Sequence, residues 1–160
     1  MTSFVLPRAF AAACLGLAVV AGAAHAMGGS DSDDSVAVVD PNYTAAEAAV
    51  QQDDFGAAVA LLIKVVDRAP KDADAQNLLG YSYRKLGQLD SAITHYGAAL
   101  DIDPKHKNAH EYIGEAYLEL GDLDSAESHL KALDKICTFG CDAYRELKQA
   151  IKAYKKNLAS

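Results

Sequence analysis

The feature that most constrains this sequence is a set of residue columns that recur every 34 positions. Ala58, Ala92 and Ala126 form one column, and Gly80 and Gly114 form another. Small residues at fixed spacing let two helices of a hairpin cross closely, since a side chain there would push the backbones apart. Larger residues keep the same register: Phe55, Leu89 and Leu123; Leu62, Tyr96 and Leu130; Val65, Ala99 and Leu133; Tyr83 and Tyr117. Such a period predicts stacked helix–turn–helix units.

Glycines and prolines mark where the helices of each unit end. Gly87 and Gly121 stop a first helix, because glycine adopts the left-handed conformation at a helix end at little cost, and Asp53 holds this column in the first unit. Pro70 and Pro104 end the second helices. The sequence therefore predicts an all-α fold of about seven helices. Their predicted bounds are 42–52, 55–68, 73–86, 89–102, 107–120, 123–136 and 142–158.

These columns resemble the tetratricopeptide repeat family. The family pattern appears in the middle unit as Gln76, Leu79, Gly80, Tyr83, Ala92, Tyr96, Ala99 and Pro104. The family's initial Trp is missing from all three units, and the first unit has Ala46 and Ala49 in place of Gly and Tyr. The resemblance covers about residues 39–138 and implies a right-handed superhelix of stacked antiparallel hairpins. Its three repeats fill residues 39–140, as units 39–72, 73–106 and 107–140.

The residues after the third unit carry the pattern of one more amphipathic helix. Tyr144, Leu147, Ile151, Tyr154 and Leu158 are three or four positions apart and share one stripe, with most lysines off it. A repeat array needs such a helix to cover its last apolar face. We therefore expect residues 141–160 to form a capping helix and tail. A membrane-surface or partner-binding stripe is the alternative.

The N-terminus has the pattern of a secretory signal peptide. Arg8 precedes an uncharged apolar run, and Ala24 and Ala26 form an A-x-A cleavage site. A membrane anchor is the alternative, but the run is shorter than the roughly 20 residues of a span. Cys14 lies inside the run, which argues against lipid attachment. We expect cleavage after Ala26, a periplasmic or secreted protein, and a flexible acidic leader over residues 27–38.

Charge and motifs exclude several functions. The chain has 15 Lys and Arg residues against 22 Asp and Glu, a formal net charge of −7. An acidic chain without basic clusters repels phosphates, so we expect no nucleic-acid partner, and we expect no stable membrane insertion after cleavage. H-E-x-x-H, G-x-S-x-G and Gly-rich phosphate motifs are absent from the sequence. We therefore expect no catalytic residue, metal site or cofactor. His95 and His129 are 34 positions apart, and we interpret their shared repeat column as a half-exposed helix position.

The segment "CTFGC" joins the last repeat to the capping helix. Cys137 and Cys141 are an even pair in a chain that we expect to be exported, which favours a disulfide. The closed loop would help to fix the angle of the capping helix, with Thr138 in the column of the turn prolines. Two alternatives stay open. One is a soft-metal site for Cu(I) with His129 as a third ligand, and the other is a thiol-redox pair.

The resemblance also implies a function, because in this family the first helix of each repeat lines a concave groove that binds protein segments. Its groove positions imply these partner-binding residues here: Tyr43, Glu47, Asn77, Tyr81, Arg84, Lys85, Asn108, Glu111 and Glu115. Six further positions belong to the wider groove: Asp40, Val50, Gln51, Asp74, Leu118 and Glu119.

The charges of these positions predict the kind of partner. Tyr43 and Glu47 stand where some family members place a clamp for a chaperone's terminal carboxylate, so that ligand is not expected. An acidic groove with one basic spot, Arg84 and Lys85, suits a short segment with basic and apolar residues. We therefore expect an exported adaptor that helps to assemble an envelope complex. A self-assembling scaffold is the alternative, and the sequence does not predict the oligomeric state.

Overall fold

The structure is a computed structural model that describes residues 40–159. The predicted signal peptide (1–26), the leader (27–38), Val39 and Ser160 lie outside the described residues. Within residues 40–159 all regular secondary structure is α-helical, which confirms the predicted all-α fold. The seven helices are α1 (Pro41–Gln51), α2 (Phe55–Arg68), α3 (Ala73–Lys85), α4 (Leu89–Ile102), α5 (Lys107–Glu119), α6 (Leu123–Ile136) and α7 (Asp142–Leu158).

The helix ends follow the repeat columns closely. Helices α2, α4, α6 and α7 have the predicted bounds, whereas α1 begins and ends one residue earlier. Helices α3 and α5 end one residue early because Leu86 and Leu120 are their C-caps. Gly87 and Gly121 follow with φ of 73° and 83°, and Asp53 has φ of 57° at the same place in the first hairpin. These positive φ values confirm that the column ends the first helix of each hairpin.

Polar side chains begin five of the seven helices. Each accepts a hydrogen bond from a backbone N–H in the first turn, which would otherwise be left without a partner. Such a cap typically stabilises a helix by about 1 kcal/mol. The five capping residues are Asp40, Asp54, Asp72, His106 and Asp122.

Sequential helices pair as hairpins, α1 with α2, α3 with α4 and α5 with α6, and each hairpin packs on the next. Ala58, Ala92 and Ala126 are completely buried in these contacts. A β-carbon added at Gly80 would lie 2.7 Å from Cδ1 of Tyr96 on α4. The α3–α4 crossing therefore needs glycine at this position, as the repeat predicts.

Gly114 has a different partner from the one that the repeat predicts. The sequence indicates a close crossing within its own hairpin. In the structure a β-carbon at Gly114 would instead lie 2.7 Å from Cδ2 of Leu147 on α7. The reason is that α7 packs against α5 and inserts Leu147 at this point.

Helix α7 packs against both α5 and α6. Its buried residues are Ala143, Leu147 and Ile151. Leu158, the last member of the predicted stripe, is 68% exposed, so the packed stripe ends before it. None of the helices within residues 40–159 has the length and apolar composition needed to cross a membrane.

Candidate functional site

The first helices of the three hairpins share one surface, and a cavity of about 320 Å³ opens in it. Helices α1, α3 and α5 all contribute to its wall, because equivalent residues of successive repeats lie side by side. We call this cavity the concave groove. It is lined by Tyr43, Val50, Asp74, Asn77, Leu78, Tyr81, Asn108 and Tyr112.

Four of the predicted partner-binding residues line the concave groove: Tyr43, Asn77, Tyr81 and Asn108. Val50 and Asp74, from the wider predicted set, line it too. The other five predicted residues are not part of its wall: Glu47, Arg84, Lys85, Glu111 and Glu115.

Leu78 and Tyr112 line the concave groove but were missed by the sequence reasoning. They are 34 positions apart and therefore belong to one repeat column. That column faces the groove in both the second and the third hairpin. A search for repeat columns with large residues on the first helices would have found them.

Asn77 is the most unusual side chain of the concave groove. It is 8% exposed, and its Oδ1 atom is buried without a hydrogen-bond partner among the described residues. Leaving a buried carbonyl oxygen without a donor typically costs about 1–3 kcal/mol. The wall of the groove therefore holds a carbonyl oxygen to which no described residue donates a hydrogen bond.

The electrostatic character of the groove is acidic near α1. Burial raises the pKa of Tyr43 to about 12, and the carboxylates of Glu47, Asp74 and Asp72 add to this rise. The Tyr43 hydroxyl thus stays protonated and can donate a hydrogen bond. Asp74 also accepts a hydrogen bond from His106 Nε2 at 3.0 Å.

Arg84 does not form the predicted basic spot. Its side chain is 12% exposed, and its guanidinium makes ion pairs with Glu115 at 2.8 Å and Glu119 at 2.7 Å. It also lies 5.8 Å from the ring centres of both Tyr81 and Tyr112. Arg84 therefore joins α3 to α5 within the fold, and its charge is offset by two carboxylates.

Lys85, the other residue of the predicted basic spot, has an exposed side chain outside the groove wall. Its Nζ atom lies 5.8 Å from the ring centre of Phe55 and 5.7 Å from that of Tyr81. Cation–π contacts of this kind hold the ammonium group over aromatic rings. Lys85 therefore holds its ammonium group beside the rings of Phe55 and Tyr81.

Glu111, one of the predicted partner-binding residues, is buried in the packing of α5 and α7. It is 4% exposed. Burial raises the pKa of Glu111 to about 8, and a hydrogen bond to Glu146 of α7 together with that carboxylate's charge adds to the rise. Burial also raises the pKa of Glu115, against the lowering by Arg84. Both residues therefore serve the α3–α5–α7 packing.

The two histidines of the shared repeat column make equivalent contacts within their hairpins. His95 Nδ1 lies 2.8 Å from Gln76 Oε1, and its ring stacks on Tyr83. His129 Nδ1 lies 2.9 Å from His110 Nδ1, and the His129 ring stacks on Tyr117. Burial, with the neighbouring His110, lowers the pKa of His129 to about 4.

These contacts also define the tautomers of His110 and His129. His110 Nε2 lies 3.2 Å from the Pro104 carbonyl oxygen, which only accepts, so Nε2 carries the proton. In the neutral His110 ring Nδ1 is then the acceptor, and His129 Nδ1–H donates to it. His129 therefore uses its Nδ1–H for a hydrogen bond within its own hairpin.

Cys137 and Cys141 form a disulfide in the structure, with their Cα atoms 5.7 Å apart. The bond closes the loop between α6 and α7, and Gly140 in that loop has φ of 77°. Among residues 40–159 no group of three or more His, Cys, Asp or Glu side chains is arranged to hold a metal ion. The sulfurs of Cys137 and Cys141 are bonded to each other, and His129 contacts His110 in its own hairpin.

The sequence profile of the tetratricopeptide repeat matches this chain over residues 43–107 and 78–140. The two overlapping matches together span the three hairpins, which is more than half of the chain. A comparison with curated protein sequences gives no match.

Solved structures of tetratricopeptide repeat domains have the same fold. The TPR domain of Sgt2 from Aspergillus fumigatus gives a TM-score of 0.66 at 20% identity, covering 74% of this chain and 77% of that chain. The TPR2B domain of yeast Sti1, in a complex with pHsp70, gives 0.67 at 21% identity, covering 72% and 94%. The type III secretion translocator chaperone SycD of Yersinia enterocolitica gives 0.67 at 20% identity, covering 74% and 84%.

Proposed function

Because this chain belongs to the tetratricopeptide repeat family, we propose that it is an adaptor whose concave groove binds a segment of a partner protein. The observation that carries the proposal is the groove wall, where Asn77 keeps a buried Oδ1 atom without a donor. This atom is closed to solvent, so a backbone N–H of a bound segment would donate to it once the Asn77 side chain turns toward the groove. The Sti1 domain of the same fold was solved with pHsp70, which supports a protein ligand.

The groove chemistry selects the class of segment. Its wall combines the phenol groups of Tyr43, Tyr81 and Tyr112 with the amides of Asn77 and Asn108. Asp74 is the one carboxylate among the lining residues. Aromatic rings, neutral amides and one acid suit an extended peptide with an apolar side chain and a basic side chain. The proposed role is therefore binding and not catalysis.

We further propose that the protein works in the periplasm or outside the cell, where it helps to assemble an envelope complex. The signal-peptide pattern of residues 1–26 supports this location, as does a disulfide, which persists in oxidising compartments. Fractionation of the producing cells, with mass determination of the purified chain, tests the location. A chain that begins at Met27 in the exported fraction supports it, and an uncleaved cytoplasmic chain contradicts it.

An affinity capture with matched variants tests the groove. The double variant Asn77→Ala/Asn108→Ala removes two amides from the groove wall. The control Gln149→Ala/Asn157→Ala removes two exposed amides from α7. We expect the control to retain the partner that the wild-type chain captures, and the groove variant to lose it while keeping its helical circular dichroism. Equal capture by both variants would exclude the concave groove as the binding surface.

A further inference from the structure

Helix α7 lies in the register of the first helix of a fourth hairpin. Tyr144 is 34 positions after His110, and Ile151 is 34 positions after Tyr117. In the third hairpin His110 and Tyr117 both contact His129 on the second helix, α6. The same face of α3, at Gln76 and Tyr83, contacts His95 on α4 in the second hairpin. The face of α7 with Tyr144 and Ile151 thus corresponds to the face that a second helix covers in the second and third hairpins.

A groove of about 560 Å³ lies at that face, between α6 and α7, and we call it the terminal groove. Its apolar lining consists of Leu130 and Tyr144, which are half-buried, and Ile151, which is 5% exposed. Helix α7 is the last helix of the described residues, and no other helix of residues 40–159 fills the groove. The terminal groove therefore lies where the second helix of a fourth hairpin would pack, and it has apolar residues for that helix to contact.

Lysines surround the apolar surface of the terminal groove. Lys131, Lys148, Lys152 and Lys155 line it together with two acids, Glu127 and Asp134. Lys155 forms an ion pair with Glu127, and Lys148 lies 5.2 Å from the ring centre of Tyr144. This rim is basic, whereas the whole chain has a net charge of −7. Its charge is complementary to an acidic ligand.

One repeat column restricts how such a ligand can lie. The column that holds Gly80 and Gly114 continues at Lys148. A helix in the terminal groove cannot cross α7 as closely as α4 crosses α3, because a lysine side chain stands at the crossing point. An acidic residue of the ligand opposite Lys148 would form an ion pair with its ammonium group.

We propose that the terminal groove binds an amphipathic helix of a partner protein, seated where the second helix of a fourth hairpin would lie. The helix places its apolar stripe on the half-buried Leu130 and Tyr144, over the nearly buried Ile151. Its flanking Asp or Glu residues pair with Lys148 and Lys152. Helices that place an apolar face in a groove are a common mode of protein recognition. A symmetric contact between two copies would instead bring two lysine rims together, which opposes self-association.

A synthetic peptide tests the proposal directly. The probe is a fluorescein-labelled peptide with the sequence of residues 88–103, which form a second helix in this protein and contain three aspartates and no lysine or arginine. A control peptide carries lysine in place of the three aspartates. Fluorescence anisotropy measures binding of both peptides to the purified protein. We expect saturable micromolar binding of the acidic probe and much weaker binding of the control peptide.

Charge-reversal variants locate the binding. Lys148→Glu/Lys152→Glu should weaken binding of the probe by about tenfold, since two attractive pairs become repulsive. Lys64→Glu/Lys71→Glu, which reverses two exposed charges elsewhere, and Asn77→Ala/Asn108→Ala in the concave groove should bind it like the wild type. The last variant separates this inference from the proposed function.

Four results would overturn the proposal: no saturable binding of the acidic probe; equal weakening by both charge reversals; dimers in sedimentation that Lys148→Glu/Lys152→Glu abolishes; or binding to vesicles of anionic phospholipid in place of the peptide. The third result would make a second copy the occupant. The fourth would make it a membrane surface.

Discussion

The ring of Tyr96 occupies the space that a side chain at position 80 would need. A β-carbon at Gly80 would lie 2.7 Å from Cδ1 and 2.8 Å from Cε1 of Tyr96, which is itself completely buried. This contact lies at the crossing of α3 and α4, where the Ala92 carbonyl oxygen is also only 3.1 Å from the added β-carbon. The close crossing of α3 and α4 therefore requires glycine at position 80.

We expect Gly80→Ala to lower the free energy of unfolding by about 1–2 kcal/mol. The overpacked Tyr96 ring must move, and this outweighs the gain in helix propensity. Urea denaturation followed by circular dichroism measures the change. Gly97→Ala is the matched control, because a β-carbon at Gly97 in α4 has no atom within 4 Å, and it should stabilise the protein by up to about 1 kcal/mol. Equal effects of both substitutions would contradict the close crossing.

Arg84 should matter for stability. We expect Arg84→Ala to cost about 2–3 kcal/mol, because it leaves the half-buried Glu115 carboxylate without its partner. Arg68→Ala removes an ion pair with Asp40 whose arginine side chain is 55% exposed, and it should cost less than about 1 kcal/mol. Urea denaturation of the two variants compares them. If Arg84→Ala unfolds at the wild-type urea concentration, the role of Arg84 in joining α3 to α5 is wrong.

The buried Glu111 should make the protein less stable as the pH rises. Its pKa is about 8 in the folded chain against an ordinary value of 4.5, so the unfolded chain releases this proton first. The contribution of Glu111 is fully present below pH 4.5 and is lost as the pH rises through about 8. We expect Glu111→Gln to be the more stable protein at pH 8, by an amount on the order of 1 kcal/mol.

Urea denaturation at pH 5 and pH 8 tests the direction of this change in the free energy of unfolding with pH. The difference in stability between Glu111→Gln and the wild type should grow with pH, because the amide does not ionise. Glu127→Gln, in α6, is the control for replacing a carboxylate by an amide outside the α5–α7 contact. A pH-independent difference for Glu111→Gln would contradict the raised pKa.

The Cys137–Cys141 bond should stabilise the protein modestly. It closes a five-residue loop, for which the chain-entropy relation gives about 2 kcal/mol. We expect a reducing agent to lower the melting temperature of the wild type, and to leave that of Cys137→Ser/Cys141→Ser unchanged. Calorimetry measures both. A wild-type melting temperature that does not respond to reduction, with free thiols confirmed by alkylation, would show that the bond adds no stability.

The fold was predictable because its signal is redundant. A misread residue in one column is corrected by the same column in the next repeat, as with Gly87, Gly121 and Asp53, which all have positive φ. The partner of Gly114 was not predictable in the same way. A column states that a close contact exists, but not which helix makes it, and Leu147 of α7 lies outside the three repeats.

Only some of the residues that line the concave groove could be predicted from the sequence, because a long charged side chain can reach partners on another helix. The family's groove positions point to Asn77 and Asn108, whose orientation follows from helix geometry alone, and both line the cavity. Arg84 lies on the same helix as Asn77, but its long side chain reaches to Glu115 and Glu119 of the next hairpin. The periodic pattern does not predict such a pairing, because it depends on three residues in three different columns.

The most direct test of the central claim is site-specific photo-crosslinking in the producing cell. A photoreactive residue at Asn108, exposed in the wall of the concave groove, should give a covalent adduct with one partner protein of defined mass. The same residue at Ala60, exposed on α2, should give none. An adduct at Ala60 but not at Asn108, or at neither position, would contradict a partner-binding groove formed by α1, α3 and α5.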